Sequence, residues 1–248
     1  MAGVSSEPSN PGRELCLGCR RATKVCWCDR IAPFETGFDL HLLMHPRESR
    51  LTIGTGRMVH RFVRGSRLWV GAAFDDTHPL WRHLTGPSAV LFPGPGSLDL
   101  DHPAPDISIS KHLGFRDTGD RLALVVVDGT WTTARRVLFD SPRLLTLPRI
   151  AYSPSTRARY DAVRREPRDT CHSTLEAVHA IIDRLDRLGV ATAAANRPHD
   201  RMLDLLDDLV REQVAFVPAE HLARRATRGA RVPAAADPQR EARGPVTR

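Results

Sequence analysis

The chain has 248 residues, of which 41% are hydrophobic and 26% are charged, as is typical of a globular protein. This composition excludes a wholly disordered chain, a collagen and a coiled coil, and no apolar run approaches the ~20 residues that a membrane span needs. We therefore expect no membrane association. The formal net charge is +7, and all Lys and Arg residues except Lys24 and Lys111 are arginine. Because the arginine side chain matches the geometry of phosphate and stacks on bases, we expect a nucleic-acid partner.

Composition divides the chain into four segments. Residues 1–14 are small and polar, which predicts a disordered tail, and Met1–Pro11 lacks the basic and apolar regions of a secretory signal. We therefore expect a cytoplasmic protein. Residues 15–30 hold a cysteine cluster, residues 31–217 form the main domain, and residues 218–248 are rich in Ala, Arg and Pro, which predicts a basic disordered tail.

Short apolar runs and amphipathic stretches alternate along the main domain. The predicted strands are Asp39–Met44, Leu68–Phe74, Ala89–Phe92, Leu122–Val127 and Leu144–Leu147. The predicted helices are Gly56–Val63, Pro79–Leu84, Thr132–Phe139, Thr174–Leu188 and Asp200–Val214. The strands are mostly non-alternating, as are strands buried on both faces, so the sequence predicts an α/β fold with a mostly parallel sheet.

Four of the five cysteines lie within thirteen residues, as Cys16-x-x-Cys19 and Cys26-x-Cys28. Two close thiol pairs complete a tetrahedral sulfur shell, so we expect a small structural zinc knuckle with these four residues as ligands. An iron–sulfur cluster is the alternative for the same donor set, whereas disulfides are unfavourable in a chain without a secretion signal.

Two predicted strands end in loops that suit a ligand. Asp128 ends one strand, and Gly129, Thr130 and Trp131 follow it. In α/β sheets ligands bind at this edge, although Asp128 or Thr130 would serve equally well as a helix N-cap and Trp131 as a core residue. The other loop, Leu91-Phe92-Pro93-Gly94, permits close backbone approach or forms an ordinary turn.

A capped helix and an arginine-rich run complete the candidate site. Ser173 and Glu176 have the spacing of a capping box, and the helix N-terminus behind it suits an anion such as a carboxylate. The run from Arg135 to Arg168 precedes it, with interleaved tyrosines that would stack on bases; a solvated helix face is the alternative.

Together these motifs resemble the DTW-domain family of tRNA-uridine aminocarboxypropyltransferases. The resemblance covers roughly residues 16–188 and rests on motifs in a fixed order: the cysteine cluster, His45-Pro46-Arg47-Glu48, Thr55-Gly56, Leu91-Phe92-Pro93-Gly94, Asp128-Gly129-Thr130-Trp131 with Ala134-Arg135, and Arg164 through Ser173-Thr174-Leu175-Glu176-Ala177. One departure is Gly54, where a polar residue is expected before Thr-Gly.

The resemblance implies S-adenosylmethionine as donor, tRNA as acceptor and a SPOUT-like fold with a C-terminal knot. Asp128 is then the catalytic candidate, as a general base or as the partner of the sulfonium charge. The donor would contact Leu91, Pro93, Gly94, Asp128, Thr130, Trp131, Ser173 and Thr174. RNA phosphates would contact Arg135, Arg164 and Arg165. We expect a monomer.

Two other functions fit the same residues. An RNA methyltransferase on this scaffold would use the same donor and RNA but would transfer the methyl group. A non-catalytic zinc-containing RNA-binding protein would show salt-sensitive RNA binding and would bind no donor.

Overall fold

The computed structural model describes residues 14–51, 54–105, 107–117, 119–159 and 171–215. The predicted terminal tails, apart from Glu14, and the predicted RNA contacts Arg164 and Arg165 lie outside these residues.

Six parallel strands form one sheet, which confirms the predicted α/β class. They are β1 (Asp39–Met44), β2 (Arg67–Val70), β3 (Ser88–Leu91), β4 (Leu98–Asp99), β5 (Ala123–Asp128) and β6 (Arg149–Ala151). Their order in the sheet is β2-β1-β5-β3-β6-β4, so β5 lies between β1 and β3. The apolar run in β5 is buried because helices cover both faces of the sheet.

The helices are α1 (Thr55–Phe62), α2 (Ile109–Leu113), α3 (Trp131–Phe139), α4 (Pro142–Leu145), α5 (Thr174–Arg187) and α6 (Asp200–Ala215). Helices α1, α5 and α6 bury their apolar residues in one core cluster with Leu40, Leu124 and Val126 of the sheet. Helices α3 and α4 pack in a second cluster with Leu43, Val90 and Val125. Alternate residues of the central strands therefore enter different cores.

One predicted strand is wrong. Leu144–Leu147 was expected to be extended, but Pro142–Leu145 forms the short helix α4. Pro142 occupies the first helical turn, where its fixed φ favours a helix start, and Leu144 is buried as one apolar side chain of that turn. The strand begins after the turn, at Arg149.

Other boundaries differ in smaller ways. Strand β2 ends at Val70, short of the predicted Phe74, and Pro79–His83 is a 3-10 helix. Ser141 accounts for part of the first difference, because its hydroxyl accepts a hydrogen bond from the backbone of Phe74 at 2.9 Å and holds this residue away from the strand ladder.

The cysteine-bearing segment packs against the main domain. Cys19 and Trp27 are buried in the same core cluster as helices α1, α5 and α6. Arg30 pairs with Asp208 and Glu212 of α6, and Arg21 lies 3.6 Å from Glu212. The segment is therefore anchored to the last described helix by apolar packing and ion pairs.

A buried histidine lies in the middle of β1. His41 is fully buried, and its Nδ1 accepts a hydrogen bond from the indole N–H of Trp69 at 3.3 Å. Burial, together with the charge of Arg67, lowers the pKa of His41 to about 4. The imidazole is therefore neutral in the folded protein near neutral pH.

Across the described residues, no helix has the length and apolar character to cross a lipid bilayer.

Candidate active site

Asp128 ends the central strand β5 at the carboxyl edge of the sheet. It pairs in register with Met44 of β1, and the backbone N–H of His45 donates to its carbonyl at 3.1 Å. The residue is only 4% exposed. A buried carboxylate is thus held rigidly at the edge where parallel sheets bind ligands.

Helix α5 begins directly against this carboxylate. Ser173 caps the helix in the predicted capping box with Glu176, with both reciprocal hydrogen bonds present. Thr174, the first helical residue, donates its hydroxyl to Asp128 Oδ1 at 2.6 Å. The structure therefore brings two predicted site residues together across the sheet edge.

Helix α1 also begins against Asp128. Gly56 lies so close that a Cβ placed on it would be 2.5 Å from Oδ2 and 2.8 Å from Oδ1 of the carboxylate. A Cβ essentially never lies this close to another atom, so a larger residue here would force the Asp128 carboxylate or the helix start to move. The starts of α1 and α5 both face Asp128, and the positive ends of their dipoles favour negative charge there.

Helix α3 begins three residues after Asp128. Thr130 is its N-cap and accepts a hydrogen bond from the backbone of Thr133 at 3.1 Å, which confirms the capping alternative for this residue. Gly129 allows the backbone to pass close to Thr133, because a Cβ at position 129 would lie 2.6 Å from the Thr133 hydroxyl. Thr130 thus fixes the turn that follows Asp128.

Trp131 lies at the surface rather than in the core. It is 43% exposed, and one face of its indole stacks on Phe92 with ring centroids 5.0 Å apart and an angle of 9° between the planes. Phe92 follows β3, the strand next to β5. Phe92 is buried beneath Trp131, so the exposed part of the indole is the surface suited to stacking with a purine or pyrimidine.

The loop after β3 is built from residues with unusual backbone freedom. Gly94 and Gly96 have φ angles of 153° and 75°, and the Ser97 hydroxyl donates to the Gly94 carbonyl at 2.7 Å. The guanidinium of Arg149 binds the Pro95 carbonyl. Pro93 and Gly94 are exposed, whereas Leu91 is buried. A ligand could therefore contact the backbone of Pro93 and Gly94 but not the side chain of Leu91.

Arg20 and Arg57 are cationic residues near the site that the sequence reasoning missed. Arg57 follows Gly56 in α1, and its guanidinium donates to the Leu51 carbonyl. Arg20, from the cysteine-bearing segment, donates to the Ser49 carbonyl at 2.9 Å. The only sequence signal was that Arg57 follows the Thr55-Gly56 motif.

Other predicted residues are less central. Arg135 is exposed on α3, and its guanidinium lies over the ring of Phe139 at 5.6 Å. His45 accepts a hydrogen bond from the backbone of Arg47 at 3.2 Å through Nδ1, and so stabilises its own turn.

The four clustered cysteines have the geometry of a tetrahedral metal site. Their sulfur atoms all lie within 4.8 Å of one another, with Cys16–Cys28 at 3.7 Å and Cys19–Cys26 at 3.6 Å. A Zn–S bond of about 2.3 Å places tetrahedral sulfurs about 3.8 Å apart, so the donor set fits zinc. Hydrogen bonds from the backbone of Cys19 and from neighbouring thiols lower the pKa of Cys16 to about 6, which favours the thiolate.

A second group of possible metal ligands is an ion-pair network instead. His179, His199 and Asp200 lie within reach of one ion. However, Arg197 donates to both oxygens of Asp200 and to both oxygens of Asp183. The guanidinium compensates the negative charge that a metal would need, and the network ties α5 to α6.

Fold and site together define an α/β protein with a candidate ligand site at the carboxyl edge of a parallel sheet and with a cluster of four cysteines that fits a metal ion. The chain belongs to the DTW domain family, whose family model matches residues 13–214. This match confirms the resemblance found in the sequence motifs.

Two curated relatives share this region. The chain is 27% identical over 184 residues to tRNA-uridine aminocarboxypropyltransferase 2 of Drosophila melanogaster, and the match covers 71% of this chain and 68% of the fly protein. It is 21% identical over 193 residues to the Mus musculus protein of the same name, with 75% of this chain and 61% of the mouse protein covered. The match therefore spans less than two thirds of the mouse protein. No solved structure matches the chain.

Proposed function

We propose that the protein transfers the 3-amino-3-carboxypropyl group of S-adenosylmethionine to N3 of a tRNA uridine. Membership of the DTW domain family and the names of the two relatives support this activity. The observation that carries the proposal is the buried Asp128 carboxylate, which faces the starts of α1 and α5 at the ligand-binding edge of the sheet.

The proposed reaction is a displacement at carbon. Uridine N3 attacks Cγ of the methionine portion, the Cγ–S bond breaks, and its electron pair leaves with 5′-methylthioadenosine. The N3 proton passes to a base or to solvent. Because the sulfonium is already a good leaving group, the enzyme contributes chiefly by positioning the two reactants. Asp128 contributes either as the base or by attracting the sulfonium charge.

We assign the donor pocket to the loops around Asp128. The exposed indole of Trp131, supported from below by Phe92, is suited to the adenine ring, and the exposed backbone of Pro93 and Gly94 to the rest of the nucleoside. Leu91, Thr130, Ser173 and Thr174 shape and brace this pocket, because their side chains are buried or already bonded within the protein.

The tRNA surface would include Arg135, together with Arg164 and Arg165 from outside the described residues. The four cysteines would hold a structural zinc ion, which supplies a rigid cross-link between the two thiol pairs rather than chemistry. The parallel sheet is compatible with a SPOUT-like fold carrying a C-terminal knot, and we extend the proposal to that fold, to a monomer and to a cytoplasmic location.

Label transfer tests the activity directly. The protein is incubated with unmodified tRNA and with S-adenosylmethionine labelled either at the carboxyl carbon or at the methyl group. We expect carboxyl label in the RNA and release of 5′-methylthioadenosine. Methyl label in the RNA would identify a methyltransferase. Binding of RNA without any binding of the donor would identify a non-catalytic RNA-binding protein.

A further inference from the structure

Two arginines beside the site, Arg57 and Arg20, lack a carboxylate partner in the described part of the chain. Among the described residues, no carboxylate lies within ion-pair distance of the guanidinium of Arg57 or of Arg20. Each instead donates to a backbone carbonyl of one short segment, Arg20 to Ser49 and Arg57 to Leu51. Neighbouring like charges repel, so the pair is stabilised when an anion binds between or beside them.

Arg57 is the better placed of the two. It is half-buried and follows Gly56, which touches the Asp128 carboxylate, whereas Arg20 is exposed. Burial and the charge of Arg20 lower the pKa of Arg57, although a guanidinium with its usual pKa above 12 stays charged near neutral pH. Arg57 therefore lies close enough to the positive charge of Arg20 and the negative charge of Asp128 to interact with both.

The hydroxyls that would otherwise receive a carboxylate are already engaged. Ser173 donates to Glu176 at 2.7 Å, and Thr174 donates to Asp128 at 2.6 Å. A donor carboxylate that took the Thr174 hydroxyl would release Asp128, and one that took the Ser173 hydroxyl would break the hydrogen bond from this hydroxyl to Glu176. Among the described residues on this side of Asp128, Arg57 is a cation that bonds to a backbone carbonyl and to no carboxylate.

We propose that Arg57 binds the α-carboxylate of the aminocarboxypropyl group, an inference that rests on the proposed function. The guanidinium offers the planar pair of donors that a carboxylate accepts. Arg57 is thus a donor-binding residue that fixes one end of the group to be transferred, while Asp128 faces the other end.

Two nucleosides distinguish the contact between Arg57 and the carboxylate from the other contacts of the donor. S-adenosylhomocysteine keeps the carboxylate, whereas 5′-methylthioadenosine lacks the whole amino-acid portion. We expect Arg57→Gln to weaken S-adenosylhomocysteine about ten- to hundredfold, the usual effect of losing a charged hydrogen-bond partner, and to leave 5′-methylthioadenosine unchanged. Arg57→Lys should retain part of the affinity, because it keeps the charge without the planar fork.

Arg64→Gln is the matched control. Arg64 follows the other end of α1, is exposed, and also donates to a backbone carbonyl, that of Pro33 at 3.3 Å. It should change neither affinity. Calorimetry on the full chain gives the affinities, and thermal unfolding checks that each variant folds.

The outcomes distinguish the two proposals. If the wild-type protein binds both nucleosides and Arg57→Gln weakens both equally, or neither, the Arg57 assignment is overturned and the proposed function stands. If Arg57→Gln instead weakens tRNA alone and flattens its salt dependence, the anion is an RNA phosphate and the assignment is also overturned. If the wild-type protein binds neither nucleoside, the proposed function fails and the Arg57 assignment with it.

Discussion

The contact between Gly56 and Asp128 makes a quantitative prediction. A Cβ at position 56 would lie 2.5 Å from Oδ2, whereas ordinary contact begins at 3.4 Å, so in Gly56→Ala the carboxylate or the helix start must move by about 1 Å. Displacements of this size near the reacting atoms reduce rates by about a hundredfold. We therefore expect kcat/KM for aminocarboxypropyl transfer to fall about a hundredfold.

The stability of the same variant should change far less. Alanine is favoured over glycine inside a helix by about 1 kcal/mol, and overpacking of a close contact costs about 1–3 kcal/mol. The two effects partly cancel, so the free energy of unfolding should fall by no more than about 2 kcal/mol. Urea denaturation measures it, and carboxyl-labelled donor measures the rate.

Gly86→Ala is the control for this experiment. A Cβ at Gly86 meets no atom within 4 Å. Its stability should stay within about 0.5 kcal/mol of wild type, with activity unchanged. A Gly56→Ala variant that kept full activity would refute the argument, because it would show that the position of the Asp128 carboxylate does not limit transfer.

Other changes have equally specific expectations. Asp128→Asn should abolish label transfer while the circular dichroism spectrum stays native, and a variant that turns over normally would remove Asp128 from the chemistry. Thr174→Val should lower stability by about 1 kcal/mol and activity more than tenfold, because it deletes the hydrogen bond to the carboxylate; unchanged activity would contradict this. The pKa of His41 falls from 6.5 in the unfolded chain to about 4 in the folded protein. Its contribution to the free energy of unfolding, about 3 kcal/mol at most, is therefore complete above pH 6.5 and is lost as the pH falls toward 4. In His41→Phe the urea midpoint should change less with pH over that range than it does in the wild type. Atomic absorption should find one zinc ion per wild-type chain and less than half of that amount in Cys16→Ser. If the wild-type protein unfolds at the same temperature with and without the metal, the zinc is not structural.

The sequence predicted the parts of the fold that carry long or well-capped signals. Strands β1 and β5 are six residues long and mostly apolar, and α5 has its capping box, so each was located to within one or two residues. Strands β4 and β6 were missed because two and three residues carry no periodicity. The Leu144–Leu147 run was assigned to a strand because a short apolar run does not distinguish an extended segment from one buried helical turn.

The same limit applies to the site. Asp128 and Thr174 were found from local motifs, and the structure joins them although they are 46 residues apart. The close approach of Gly56 to Asp128 and the position of Arg57 near that carboxylate were not predictable, because both depend on the strand order that places β1 beside β5. In a parallel sheet every connection after a strand starts at the same edge, so neighbouring strands bring their helix starts together there.

The charges at this edge match those of the proposed donor. S-adenosylmethionine carries a positive sulfonium at one end of the aminocarboxypropyl chain and an α-carboxylate with a neighbouring α-ammonium at the other, and Cγ is the carbon of this chain that is bonded to sulfur. With Asp128 facing the sulfonium and Arg57 binding the carboxylate, both ends of the aminocarboxypropyl chain would be fixed, whereas the methyl group would be held only through the sulfur. Positioning then favours attack at Cγ over attack at the methyl group. On this reasoning, Arg57→Gln should introduce methyl label into the RNA, which the wild-type protein is not expected to transfer, and a variant that still transfers carboxyl label alone would show that the carboxylate does not direct the choice of carbon.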